Sequence, residues 1–349
     1  MKKSLTWLVA IVVIVSMAMF VGIGCQTTTA GETTAAGTTA AVTTAAGETT
    51  AAETTGVVAE KRYKIAFIVH DAGTPFFAPT IAGINDAAAL FGVDVSYMGP
   101  KTMDVAGQVD MITSALGSGI DGLVTTLPDP AAYDTVLQEA MKNGIPVIGT
   151  NTDNGNLLDR LVFVGQDQPK AGFSMGEQIK KIMPDGGKII LWTCCPGHTA
   201  IEARLQGARD SLEGSNITVV DTLTYGAEMA DVVSKVEAAY LANPDVKGFF
   251  SGDAFTEGIG RYISTNNLQG KLLGGGFDLV DATLGFIKDG SLQFTIGQDP
   301  YSQGFYPVMM LWLYFTKGIP PKDIDTGADM VTPENIDAIL AREAKMAGK

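Results

Sequence analysis

Histidine and cysteine are scarce in this chain, with 2 histidines and 3 cysteines among 349 residues. A structural zinc site needs four nitrogen or sulfur ligands at tetrahedral spacing. His198 beside Cys194 and Cys195 does not supply that spacing, so no metal is expected. No block of lysine or arginine occurs, and the formal net charge is -14. Nucleic acid and anionic membrane surfaces both select basic patches, so neither surface is expected as a partner. The G-x-G-x-x-G turn is missing too: "GGGF" at 274–277 has the wrong spacing, which argues against a dinucleotide, and no cofactor is expected. Cys194, Cys195 and His198 could suggest a thiol nucleophile. The simpler reading is a pair of small buried thiols, or an exposed pair at a cleft edge. Neighbours in sequence are poorly placed for an unstrained disulfide. No enzyme is expected.

What is present starts with Met1-Lys2-Lys3 and an apolar run from Leu5 to Ile23, closed by Gly24-Cys25. A charged segment before an apolar stretch predicts an export signal over 1–24. The segment "VGIGC" resembles a bacterial lipobox, which implies that Cys25 becomes an acylated N-terminus anchored outside the membrane. An uncleaved anchor or an ordinary cleaved signal would export the chain equally. Residues 27–55 contain only Thr, Ala, Gly, Glu and Val, and the unit TTAAG or its variant TTAAV recurs every five residues over 33–47. That period fits neither helix nor strand, and nothing there is large enough to build a core. The segment 25–60 therefore reads as a flexible tether, holding the rest on the order of 30 Å from its lipid.

From Tyr63 onward, short apolar runs alternate with helix-length segments. Strands are predicted at 64–69, 93–97, 122–125, 146–149, 161–164, 188–192, 217–224, 248–251, 272–276 and 294–297. Helices are predicted at 80–90, 105–117, 131–143, 168–182, 199–212, 230–242, 257–265 and 279–288. Near-continuous apolar strands joined by helices imply parallel sheets covered on both faces. The strands are too many for one comfortable sheet. The fold class is α/β, with two doubly wound parallel-sheet lobes.

Ligands of such sheets bind beyond the carboxyl ends of the strands. After the first strand come His70, Asp71, Thr74, Phe76 and Phe77; after "PVIG" come Asn151, Thr152 and Asp153. After "KIILW" come the two cysteines and His198, then Glu202 and Arg204; later strand ends carry Asp253, Asp278 and Gln298. Turns ordinarily carry small polar residues, so the paired phenylalanines call for a reason. Carboxylates and amides bond hydroxyls while flat rings cover apolar C–H faces. The combination suits a neutral polyhydroxyl ligand.

The segments "AFIVHDAGTPFF", "GIPVIGTNTD", "EARLQGARDSL", "GDAFTEGIGRYI", "GGGFDLVDATLGFIKDG" and "FTIGQDPYSQG" occur in that order. Together they resemble the ribose-binding protein family, the sugar-binding periplasmic components of ABC importers, over 62–340. The resemblance implies a monomer that closes two lobes on a monosaccharide, pentose or hexose, or on a polyol. It would then meet an ABC permease with its ATPase. The alternative within this kinship is a sensor presenting a sugar or autoinducer-2-type ligand to a receptor. By match, Phe76 and Phe77 sandwich the sugar, and Asp278 and Gln298 are unchanged ligand contacts. Asp253 falls in the turn after "GFFS", and His70 sits where autoinducer-binding relatives carry a polar contact. Two departures are marked: Asn151-Thr152 replaces an Asp-Arg pair, with Asp153 near enough to supply the carboxylate, and Glu202 replaces a ligand-binding arginine. Ribose itself is therefore not the expected ligand. Arg204 matches an arginine read as structural. The match places three hinge crossings near 166–167, 298–299 and 325–326. These divide the chain into a first lobe (61–166 plus 299–325) and a second (167–298 plus 326–341), with the ligand cleft between them. A transcription regulator on this fold would need a basic helix-turn-helix ahead of the core, and the N-terminal segment has none.

Overall fold

The computed structural model describes residues 61–346 apart from Ala227. The expected export signal, the acylated Cys25 and the tether to residue 60 lie outside the described residues. The first lobe runs β1 (Lys64–Ile68), α1 (Ala78–Phe91), β2 (Asp94–Met98), α2 (Val105–Gly117), β3 (Gly122–Thr125), α3 (Asp134–Lys142), β4 (Val147–Thr150) and β5 (Val162–Gly165). The second runs α4 (Gln168–Ile182), β6 (Gly187–Thr193), α5 (Thr199–Leu212), β7 (Ile217–Thr224), α6 (Met229–Ala242) and β8 (Val246–Ser251). It continues through α7 (Thr256–Thr265), β9 (Leu273–Phe277), α8 (Asp281–Lys288) and β10 (Phe294–Gly297). The chain returns to the first lobe as α9 (Pro300–Lys317) and β11 (Ile324–Asp325), then closes the second with β12 (Asp329–Val331) and α10 (Ile336–Met346).

The two sheets have the orders β11-β5-β4-β3-β1-β2 and β12-β10-β9-β8-β6-β7. Apolar side chains fill both faces of each sheet, in one pair of core clusters per lobe. The continuous Ile, Val, Phe and Leu runs of the strands need that double cover. All adjacent strands are parallel except β12, which runs antiparallel to β10. This corrects the all-parallel expectation at one edge. The physical reason is local: Asp329 opens β12 opposite Gly297, the last residue of β10, so the strand can only run back along it. Among the described residues, no helix is long and apolar enough to cross a membrane.

Three links join the lobes: 166–167 between β5 and α4, 298–299 between β10 and α9, and 326–328 between β11 and β12. The first two end in capped helices. Asp167 accepts from the Lys170 N–H and Asp299 from the Ser302 N–H, both at 3.1 Å. A proline occupies the first turn of each helix, where its missing N–H costs nothing. Gln166 binds the links together: its Nε2 donates to Gly297 O and Gly327 O, both at 2.9 Å. Thr326 Oγ1 donates to Gln298 O at 2.7 Å, and Gln303 of α9 donates to the same carbonyl at 2.8 Å.

Two further contacts position the cleft. Helices α4 and α5 touch backbone to backbone, because a Cβ on Gly172 would lie 2.0 Å from Arg204 O and one on Gly207 2.2 Å from Pro169 O. Only glycine permits that approach. At the cleft rim, Thr199 of α5 donates from its N–H to Pro128 O and from Oγ1 to Leu127 O, each at 3.0 Å. The lobes are thus in contact across the cleft.

Replacing Gln166 by leucine would take this partner from the buried Gly297 carbonyl, the half-buried Gly327 carbonyl and one arginine N–H. Such orphaned groups cost about 1–3 kcal/mol each, so Gln166→Leu is expected to lower the unfolding free energy by several kcal/mol. Thermal unfolding of the ligand-free protein checks it; an unchanged melting temperature would refute the linking role.

Candidate functional site

Between the lobes lies a cavity of about 100 Å³ open to water-sized spheres. That is room for roughly seven to ten waters. From the first lobe it is lined by His70, Asp71, Thr74, Phe76, Phe77, Met103, Asn151 and Thr152. The second lobe contributes Cys194, Cys195, His198, Ile201, Arg204, Asp253, Phe255 and Asp278, with Gln298 at the hinge.

The aromatic wall arises from a single 3-10 turn at Pro75–Phe77, started by Thr74, whose Oγ1 accepts from the Phe76 N–H. Proline presets the turn's backbone, and the turn aims two successive rings inward. The Phe76 and Phe77 rings meet edge to face with centroids 5.0 Å apart. Phe77 is buried in the first lobe's core, whereas Phe76 is half-buried. His70 continues the row, 5.8 Å from Phe77 and 5.2 Å from His198 of the other lobe. The His70 Nδ1 bonds Thr126 Oγ1 at 2.9 Å, while the buried His198 Nδ1 has no protein partner. Burial pushes the His70 imidazole down to about 4 and holds His198 well below its ordinary value. Both rings are neutral at pH 7.

The polar wall is a continuous network. Arg204 donates from Nε to Gln168 Oε1 at 2.6 Å, from Nη2 to Gln166 Oε1 and from Nη1 to Gly252 O, each at 3.0 Å. Its guanidinium lies 4.1 Å from the centroid of Phe277 and borders the cavity, with two of its five N–H groups not engaged by these three acceptors. Gln298 Nε2 donates to Asp278 Oδ1 at 2.6 Å, and Asn151 Nδ2 donates to Gln298 Oε1 at 3.1 Å. Burial raises the Asp278 carboxyl above its ordinary value, with Arg204 and Gln298 pulling it back. Asp253 is already engaged: Oδ2 accepts from the Cys194 N–H at 2.7 Å, and Oδ1 from Tyr225, Ser251 and the Phe255 N–H. Its burial also raises its carboxyl, against those four donors. Asn151 and Asp278 both have left-handed backbone, with φ of 62° and 74°. Such strain in non-glycine residues gathers where the surroundings over-determine it.

Seven of the nine residues expected from the sequence line this cavity: His70, Phe76, Phe77, Asn151, Asp253, Asp278 and Gln298. Asp153 does not. Arg160 Nε donates to its Oδ1 at 2.7 Å and Nη2 to its Oδ2, so the carboxylate is consumed by that pair. Glu202 does not either; it is exposed and accepts from the Gly197 N–H at 3.0 Å. Residues two apart on a helix point to opposite sides, so once Arg204 faces inward, Glu202 faces water. The stripe Ile201, Leu205, Ala208 and Leu212 marks the inner face and would have revealed this. Arg204, matched to an arginine read as structural, borders the cavity. Cys194 and Cys195, expected as free thiols, are joined as a disulfide. They leave β6 at a turn held by the Asp253 bond and by the Cys195 N–H donating to Thr193 Oγ1 at 3.2 Å, which brings both sulfurs to one side. No cluster of His, Cys, Asp and Glu among the described residues could hold a metal.

A family model described as "Periplasmic binding protein domain" matches residues 65–318. The chain belongs to the periplasmic binding protein family. A xylose/arabinose-binding protein of Sulfolobus acidocaldarius is 34% identical over 295 residues, covering 80% of this chain and 73% of that one. Among solved structures, an ABC transporter solute-binding protein of Burkholderia graminis in complex with D-arabinose has a TM-score of 0.74 at 27% identity, covering 79% of this chain and 97% of that one. A carbohydrate-transporter solute-binding protein of Agrobacterium radiobacter, also with D-arabinose, has a TM-score of 0.75 at 25% identity, covering 81% and 99%. The periplasmic binding protein described here is accordingly a binding protein and not an enzyme, with the two-lobe α/β architecture of that family.

The depressed His70 value carries a sign. Its unfolded imidazole takes up a proton near pH 6.5 while the folded one resists to about 4, so stability falls as pH drops through that window. Asp253 and Asp278, with raised values, act in the opposite sense. The difference between wild type and His70→Gln isolates the histidine. The wild type is expected to lose about 1–3 kcal/mol more than the variant between pH 6.5 and 4. Parallel melting curves across that range would refute it.

Proposed function

We propose that this protein binds one monosaccharide, a pentose before a hexose, or a polyol in the interlobe cavity and delivers it to an ABC permease. The observation that carries this reading is the division of the cavity: aromatic rings and Asn151 come from one lobe, Arg204, Asp278 and His198 from the other. Neither half encloses a ligand alone, so binding favours the closed arrangement by the contacts that only closure completes. Phe76 and Phe77 cover a C–H face of the sugar. The Asp278 carboxylate, with one oxygen held by Gln298, accepts from a hydroxyl pair through the other. Arg204 donates from its remaining N–H groups, and His198 Nδ1 gains the partner it lacks. Asp253 shapes the wall more than it reads the ligand. Likeness to proteins named for, or holding, xylose and arabinose supports a pentose first.

Thermal shift against a panel of pentoses, hexoses and polyols tests this. The true ligand is expected to stabilise by RT ln(1 + [L]/Kd), about 4 kcal/mol at a thousandfold excess. Arg204→Ala and Asp278→Asn should each weaken binding by about 1.5–3 kcal/mol, roughly ten- to a hundredfold by calorimetry. No shift with any member of the panel would sink the proposal.

The family's extracytoplasmic setting and the "VGIGC" segment support a lipid anchor on Cys25, outside the membrane that houses the permease. Cys25→Ser is expected to abolish metabolic labelling with palmitate; undiminished labelling would rule Cys25 out.

A further inference from the structure

Phe76 and Phe77 form an aromatic wall on the first lobe's side of the cleft, while the second lobe lines it with Ile201 and Phe255 as well as the two cysteines. A sugar ring has two faces, and covering one leaves the other to be matched by the second lobe. What that lobe offers is unusual: the Cys194–Cys195 disulfide, which lines the cavity at the carboxyl end of β6. A disulfide between sequence neighbours closes a small ring through their own peptide bond. Both sulfurs therefore move as one rigid, polarisable plate that carries no hydrogen-bond donor. The plate is fixed from behind. The Cys194 N–H donates to Asp253 Oδ2 at 2.7 Å, the Cys195 N–H to Thr193 Oγ1 at 3.2 Å, and Cys194 packs against both core clusters of the lobe. The turn continues from Cys195 O, which accepts from the His198 N–H at 3.1 Å, so the disulfide and His198 are parts of one wall.

Resting on the sugar-binding reading above, we propose that the Cys194–Cys195 disulfide is the second apolar plate of the pocket, packed on the sugar's C–H face across from the Phe76 wall. Affinity then depends on the oxidation state of the pair. Two free thiols would rotate independently, and each adds a weak S–H donor where the rigid plate had none. Reduction by a dithiol removes the plate. A reagent thiolate attacks one Sγ, the Sγ–Sγ bond breaks, and its electron pair leaves on the other cysteine, which takes a proton. The reagent's second thiol then closes on the mixed disulfide, giving two cysteine thiols and a cyclic reagent disulfide. An extracytoplasmic compartment keeps the pair oxidised.

The test uses the mature chain and a sugar found in the panel. Calorimetry is run on oxidised protein, on protein reduced with dithiothreitol and shown by thiol titration to expose two new thiols, and on Cys194→Ser/Cys195→Ser. Circular dichroism and melting follow the fold in each. The expected result is a tenfold or greater loss of affinity in the reduced and doubly substituted proteins. Reoxidation with oxidised glutathione restores binding to the wild type alone. Equal affinity in oxidised and reduced wild type overturns the plate while leaving the sugar reading intact. Two titratable thiols in oxidised protein overturn it as well. Absence of any bound sugar in the oxidised protein overturns both.

Discussion

One glutamine amide holds the three links between the lobes. Gln166 sits at the first crossing and donates to the Gly297 carbonyl at the entry to the second and to the Gly327 carbonyl in the third, while its own oxygen accepts from Arg204. These groups are buried or half-buried, and a backbone carbonyl shielded from water without a partner is costly. The links therefore keep a common arrangement, or all change it together. The same polar network reaches the cavity from two directions: through Arg204 and Gln168 on one side, and through Gln298, Asn151 and Asp278 on the other. Hinge and ligand groups form one connected set. A shift of either lobe about the links necessarily moves the groups that would read a ligand.

The cavity's electrostatics follow from its depth. Three carboxylates, Asp71, Asp253 and Asp278, border it with a single guanidinium. Burial raises all three carboxyls, and nearby donors offset that rise to different degrees. Asp278 keeps an oxygen clear of protein donors, whereas Asp253 meets four. Two aspartates at equivalent strand ends thus differ in what they can offer a ligand, by the number of donors already committed to them. A neutral ligand rich in hydroxyls matches this balance better than a charged one, since it adds no further ion to a buried site.

Much of this was legible from the residues. The ten main strands lie within a residue or two of where the apolar runs place them, because strands buried on both faces write themselves as unbroken apolar segments. Helix α9 escaped, since an aromatic-rich stretch containing Pro307 does not look helical; β11 and β12, of two and three residues, carry no periodicity. At the cavity, residues following a strand lie where the strand ends place them, because strand ends fix position. Glu202 and Asp153 misled for the converse reason. One lies on a helix where rotation per residue decides the facing, the other in a loop where a partner seven residues on claims it. The disulfide could not be read from spacing, as it depends on how the chain turns after β6.

The edge strand β11 completes the first sheet by pairing with β5, though the two are separated in sequence by most of the second lobe. Helix α9, which packs along α1, arrives equally late. The first lobe is written first but finished nearly last. Its edge stays open, and one face of its core uncovered, until almost the entire chain is available. Such long sequence separations slow folding and leave an unpaired strand exposed meanwhile. The lobes are not two beads made in succession; each supplies the time in which the other becomes complete.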